Sequence, residues 1–494
     1  MSLLRDAYEE VHYASFPRPA SAPDRLAAVA TMFGLTPPNP ATARVLELGC
    51  SDGGNLMPLA LVTPRAQFVG VDFARSAIAR GQQRISDLKL GNIELRAMDV
   101  RDFPPDAGAF DYIILHGVFS WVPAEIRGAV LALVGRHLSP HGVAYVDYNT
   151  QPGSQLRFLF RDAMRFHVQR FPEPQQQIDQ ARSLIKLIVD ASPSDSLYRA
   201  AAEAVLARVS RTPDSALFHE DLSECNEAFY FRDFIAAAAP HDLQYLAEAD
   251  VWEMNDAFLP PQVRERLTGL RSLVEKEQYL DILRNRAFRQ TLLCRKERKV
   301  QRALDGSTLE TLWFSSDAQA APGKQADEVC YRAGQRWVNT TNPLAKTVFE
   351  ALRRAYPVRQ TVSELREAAR RQHSAFAGSV DAEFLSVLLH AVMSGLVESH
   401  SGAAPCATEI SGRPLASPLA RYQLEHVETL STLHHRTCDL TSESGRRILP
   451  LLDGTRMLEE IAEALGIPET VIREETRSLA ANALLLPEPL EHQQ

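Results

Sequence analysis

VLELGCSDGGN, residues 45–55, reads as a β-strand ending in Glu47, a tight turn over Gly49–Gly53 and a helix opening near Asn55. Glycines in such a turn let backbone N–H groups come close to a ligand and open the helix without a Cβ clash. The acid at the strand end favours a positively charged ligand over a pyrophosphate. Working outward, short apolar runs rich in Val and Ile alternate with helical stretches from Arg44 to about Asn149: AQFVGVDF, NIELRAMDV, FDYIILHG and GVAYVDYN. That alternation predicts a parallel, doubly wound, Rossmann-like α/β sheet that takes its ligand at the carboxyl ends of the strands.

Two more acids stand at strand ends. Asp72 closes the second strand and would hold a ribose diol in either NAD or S-adenosylmethionine. Asp99 closes the third, where methyltransferases read the adenine amino group. Three acidic strand ends in register favour S-adenosylmethionine over NAD. The turn departs from the generic ExGxGxG pattern, because Ser51 stands at the middle glycine.

The chain has 494 residues, 45% hydrophobic and 23% charged, which predicts a soluble chain of several domains. A net charge of −9 gives no general attraction to nucleic acid or anionic membrane. The start MSLLRDAYEE lacks a signal-peptide pattern, and no apolar run is long enough for a membrane span. The six cysteines are scattered without a CxxC pair, so a reduced, cytoplasmic setting is expected. Residues 1–40 read as an N-terminal helical cap segment, 41–155 as the ligand-binding sheet domain and 156–305 as a helical middle domain. The polar stretch SSDAQAAPGKQADE reads as a loop or joint. Two weakly repeated units follow, at 325–402 and 412–490, each resembling the helix–turn–helix core of a winged-helix module.

ELGCSDGGN, DYIILHGVFSWVP, YVDYNTQPG, HEDLSECNEAFYFRDFIAAA, FRQTLLCRKE and LLDGTR together resemble bacterial methyltransferases that carry a methyltransferase regulatory domain. That group includes the rickettsial outer-membrane-protein lysine methyltransferases. The resemblance implies a class I methyltransferase fold followed by a helical middle domain and two winged-helix-like C-terminal modules. It assigns Glu47, Gly49, Cys50, Ser51, Gly53, Asn55, Asp72 with Phe73, Asp99 with Val100, and His116–Gly117 to S-adenosylmethionine and its product S-adenosylhomocysteine. It places Trp121, Tyr148 and Asn149 near the acceptor. The segment YEEVHYASFP is similar to the family's YxxVPYxSxPF, which implies closure over the cofactor with Tyr8, Tyr13 and Ser15. Four departures from the family pattern, at His12, Ser21–Pro23, Phe119 and Ser154, are expected around the acceptor.

Methyl transfer from a sulfonium gains most from alignment and from dehydrating the nucleophile. An amine acceptor must be neutral, and aromatic walls with carbonyl-type acceptors depress a lysine pKa. Asn149 and Tyr148, read as lying just past the fifth strand, suit that role, although Asn-Thr before Gln-Pro-Gly is also ordinary turn chemistry. His116 is a general base for a hydroxyl or carboxyl acceptor, or simply a backbone or cofactor contact. The triplet His219–Asp221 and the group His434, His435 and Cys438 lack a complete ligand set, so surface or capping roles are expected and no metal. Between Arg264 and Arg302 twelve Lys/Arg face five acids, read as a solvated or interdomain helix; nucleic acid is disfavoured as a partner because the would-be recognition helices lack clustered basic readers. The leading expectation is transfer to a protein or peptide acceptor at lysine nitrogen. The alternatives are O- or N-methylation of a specialised metabolite or biosynthetic peptide, and, in another class, a cofactor-sensing DNA-binding regulator. Self-association as a homodimer is suggested by the relatives.

Overall fold

The computed structural model describes residues 9–372, 377–407, 409–427 and 429–487. Eight strands form the main sheet: β1 (Arg44–Leu48), β2 (Gln67–Asp72), β3 (Ile93–Ala97), β4 (Phe110–Leu115), β5 (Leu138–Thr150), β6 (Ala228–Phe229), β7 (Leu243–Glu248) and β8 (Phe288–Arg295). Their order is β3-β2-β1-β4-β5-β8-β7, with β6 beside the end of β5. The first five pair in parallel, whereas β8 runs antiparallel to both β5 and β7. β1 and β4 are buried at nearly every position because helices cover both faces, as in a buried parallel sheet. The chain order reverses between β1 and β4, which opens a crevice at their carboxyl ends.

The helical middle region is present, and it does more than the sequence reading assigned. Helices Gln155–Val168, Pro174–Ala191 and Leu197–Val209 pack about their own core, which includes Phe160, Ile178, Ile185 and Val205. The same region then returns β6, β7 and β8 to the main sheet. The basic run explains why β8 is hard to see. Arg286 and Arg289 are buried rather than solvated. Arg289 sends Nε to Asp281 Oδ2 at 2.9 Å and Nη2 to Glu277 Oε2 at 3.1 Å, pairs with Glu248, and lies 3.9 Å over the Phe231 ring. Two of the charges that suggested a surface helix, Arg286 and Arg289, are spent inside this network, while Arg295 and Arg302 bond backbone carbonyls.

SSDAQAAPGKQADE is not a loop. It begins at the last residue of β9 (Trp313–Ser315), contributes β10 (Gln319–Pro322) and leads to β11 (Val329–Ala333), with β10 exposed throughout, which is why its polarity reads as a linker. β11 pairs with β12 (Arg336–Thr340), while β9 sits between β13 (Gln360–Thr361) and β14 (Glu398–His400). Helices Pro343–Ala355, Val362–Gln372 and Ala377–Met393 complete that unit. The last unit holds the hairpin β15 (Thr429–Ser431) and β16 (Thr437–Asp439) and the helices Glu443–Ile448, Leu458–Leu465 and Glu469–Ala481 about a separate core. Among the described residues no helix is long and apolar enough to cross a membrane.

Candidate functional site

A cavity of about 470 Å³ opens at the strand-order reversal, within the usual range for a small-molecule site. Glu47 forms its floor, 2% exposed. Its Oε1 accepts from Asn55 Nδ2 at 2.8 Å, whereas the buried Oε2 has no partner among the described residues. Burial pushes the carboxyl up to about 8 against the Asn55 hydrogen bond, and nearby Asp72 adds to the rise. A buried carboxyl oxygen lacking a donor is a site that a ligand ammonium satisfies.

The turn after β1 is built for close approach. Gly49 has φ 74°, and a Cβ there would run into Val118. Ser51 occupies the left-handed region at φ 49°, where the generic ExGxGxG pattern has glycine. Two bonds hold it there: its N–H donates to Asp72 Oδ2 at 2.8 Å and its hydroxyl to the Tyr13 carbonyl at 2.9 Å. Asp72 also accepts from the Ala74 N–H at 2.9 Å, and burial raises its pKa. Asp99 lines the cavity too, but its carboxylate accepts from the Arg101 backbone at 2.9 Å and pairs with the Arg101 guanidinium. Phe73, Val100, His116 and Gly117 line the cavity as well.

An N-terminal strap crosses the turn. The Asn55 N–H donates to Ser15 Oγ at 3.2 Å, and any Cβ on Gly54 would overlap the Ser15 carbonyl. His219 contacts the Val11 carbonyl at 2.7 Å and packs edge-on against Tyr13 at 5.5 Å. Tyr13 donates to Glu220 at 3.3 Å; burial, helped by the Glu220 charge, pushes its hydroxyl up to about 12. The strap therefore borders the cavity from the Ser51 turn to Glu220.

Across the cavity, Asn149 is an interior residue of β5. Its N–H donates to Ser120 Oγ at 2.9 Å and its Nδ2 to Asn226 Oδ1 at 2.7 Å. No hydrogen bond from the described residues reaches its Oδ1. His116 bonds through Nδ1 to the buried Asp147, which also accepts from the Gly117 N–H at 2.8 Å and the Tyr145 hydroxyl at 3.1 Å. Trp121, Ser154, Glu220 and Phe288 line the same side.

Some expected residues lie elsewhere. β5 continues to Thr150 because β8 pairs with it, matching Tyr148 to Arg289 and Asn149 to Phe288. Successive side chains in a strand alternate faces. Asn149 and Asp147 thus face one way, and Tyr148 is turned into the core, its hydroxyl 3.1 Å from Thr291 and its ring stacked on Phe234 at 4.3 Å. Cys50, Gly53 and Asn55 support the turn but do not line the cavity. Tyr8 lies outside the described residues.

Of the four departures, only Ser154 lines the cavity. Phe119 joins the aromatic cluster around Tyr148, Ser21 accepts from Asn55 Nδ2 at 3.2 Å, and His12 sits 3.4 Å from Asp52. His219 and Asp221 are buried, not surface residues, and so are His434 and His435. Sequence reasoning missed Asp147, Arg157, His219 and Glu220. Asp147 alone carried a signal, two positions before Asn149 on an alternating strand.

Three family models match in chain order: "Methyltransferase domain" over 45–142, "Predicted methyltransferase regulatory domain" over 213–295 and "PKMT, C-terminal winged helix domain" over 412–476. The chain is 36% identical to RP789 of Rickettsia prowazekii over 323 residues, 65% of this chain and 58% of that one. It thus spans little more than half the length of that relative. It is 36% identical to RP028 of the same organism over 233 residues, 47% of this chain and 93% of that one. The structure of PKMT2 from Rickettsia typhi in complex with AdoHcy superposes with a TM-score of 0.84 at 25% identity, covering 96% of this chain and 99% of that one. Nearly the whole of RP028 is matched, the three domain models fall in order, and the cavity has the acid and turn geometry described above: the chain belongs to the class I S-adenosylmethionine-dependent methyltransferases that carry a methyltransferase regulatory domain.

Proposed function

We propose that the chain transfers a methyl group from S-adenosylmethionine to the side-chain nitrogen of lysine in a protein acceptor. The observation that carries the reading is the likeness to PKMT2 over 96% of the chain. On the cofactor side Glu47 Oε2 would take the amino group, Asp72 the ribose and the Asp99–Val100 edge the adenine. When bound, the cofactor supplies an electrophilic methyl group. The chain's own residues then align and dehydrate the amine. The Asn149 carbonyl oxygen accepts an amine N–H and so orients the lone pair. Trp121, Tyr13 and Phe288 exclude water, and the Glu220 carboxylate attracts the incoming ammonium before it loses its proton. His116, held through Nδ1 by Asp147, offers its other ring nitrogen as a proton acceptor.

Departures from the family pattern around the acceptor would favour methylation of a metabolite. Three of the four lie off the cavity, which removes most of that ground.

Incubating the full chain with labelled S-adenosylmethionine and a bacterial protein fraction is expected to label protein, and acid hydrolysis is expected to return N-methyl-lysine. Label confined to small molecules, or lost from protein as a base-labile ester, would contradict the proposal.

A further inference from the structure

Asn55 opens the helix Leu56–Val62 yet does not face the cavity; its amide is fully committed behind it. Oδ1 accepts from the Arg18 N–H at 2.8 Å and from His435 Nε2 at 2.8 Å. Nδ2 donates to Ser21 Oγ at 3.2 Å and to Glu47 Oε1 at 2.8 Å. An amide is oriented by such a network, since the donors reaching Oδ1 decide which way Nδ2 points.

His435 belongs to the C-terminal unit, 380 residues away in sequence. It stands at the tip of the β15–β16 hairpin, where the Thr432 N–H donates to the Arg436 carbonyl at 2.8 Å and the His435 N–H to the Thr432 carbonyl at 3.1 Å. Its backbone is left-handed, φ 56°, and its ring is buried against the methyltransferase unit. The Arg18 N–H also lies 3.3 Å from Nε2, but its shorter bond marks Asn55 Oδ1 as an acceptor. Nε2 therefore carries the proton, and Nδ1 has no partner among the described residues. Burial holds the ring neutral, with a pKa lowered to about 4.

We infer that His435 is a positioning residue for the cofactor site: its Nε2–H fixes the Asn55 amide, which in turn holds Glu47 Oε1 and leaves Oε2 aimed at the ligand. The C-terminal hairpin is then part of the S-adenosyl site rather than an appendage to it. This inference rests on Glu47 being the ligand's amino-group partner.

Two substitutions separate this role from a merely structural one. The glutamine amide nitrogen reaches where Nε2 stands, whereas that of asparagine reaches only where Nδ1 stands. The left-handed backbone favours asparagine. A backbone account therefore ranks His435→Asn above His435→Gln, and the hydrogen-bond account ranks them in reverse.

The test is calorimetric titration of S-adenosylhomocysteine into the full chain, with the thermal midpoint of each variant as a folding control. H435N is expected to bind about five- to tenfold more weakly than the unaltered chain, the loss of one buried hydrogen bond. H435Q is expected within about twofold of it, because that bond is restored. Unaltered binding in H435N, or binding in H435Q as weak as in H435N, would overturn the positioning role alone. An unaltered chain that fails to bind S-adenosylhomocysteine would overturn the reading of Glu47 and this role together.

Discussion

Replacing Glu47 with glutamine is expected to weaken S-adenosylhomocysteine binding by about 2 to 5 kcal/mol, roughly thirtyfold at the least. The variant keeps the shape of the side chain and its acceptor for Asn55, so the loss isolates the charge. The pH dependence follows from the raised pKa of about 8. Near neutrality the ligand-free carboxyl is mostly protonated, and a ligand ammonium binds its ionised form, so binding releases a proton. Affinity should therefore tighten as pH rises from about 6 towards 8, while E47Q lacks this dependence. Stability runs the other way. The native pKa lies above the ordinary value of 4.5, so this group's contribution is full below that value and is lost as pH rises through about 8. Ligand-free E47Q should thus be more thermostable than the unaltered chain at pH 8, although it binds worse. Calorimetry and thermal melts at three pH values check both halves, and an E47Q that binds like the unaltered chain would contradict the assignment.

Arg289→Ala should be the most damaging single change in the main sheet. Arg289 is fully buried and answers Glu248, Glu277 and Asp281, all themselves buried, with Arg286 as the second cation of the cluster. Removing the guanidinium leaves Glu277 and Asp281 with Arg286 alone and Glu248 with no arginine. Breaking a buried pair in this way costs about 3–5 kcal/mol, on the order of 10 °C in thermal midpoint for a domain of this size. Arg289→Lys keeps the charge but loses the planar fork, so it should fall between the two. A midpoint for R289A equal to that of the unaltered chain would show that the cluster relaxes by taking up protons or water.

The cavity wall at the ends of β1, β2 and β3 was legible in the sequence because its signals are local. An apolar strand, a glycine turn and an acid at each strand end lie within a few residues of one another, and Glu47, Gly49, Ser51, Asp72 and Asp99 all line the cavity. Tyr148 was misplaced by an end-of-strand assignment. Once β8 extends β5 to Thr150, the two-residue period sends Tyr148 to the core and brings Asp147 to His116. β8 itself was hidden because its stretch is dense in arginine, and only the fold reveals that Glu248, Glu277 and Asp281 neutralise Arg289. His219 and Glu220 reach the cavity from a π-helical turn, Leu217–Asp221, whose orientation no local pattern encodes. Asn55 and His435 are the extreme case. The asparagine was assigned to the ligand, but its partner lies 380 residues on, and nothing in either neighbourhood announces the pair.

A crystal structure of the full chain with S-adenosylhomocysteine tests the central claim most directly. The ligand's amino nitrogen should lie within hydrogen-bond distance of Glu47 Oε2, with its ribose on Asp72 and its adenine against Asp99 and Val100. A ligand seated elsewhere, or one that leaves Glu47 Oε2 without a partner, would contradict the account.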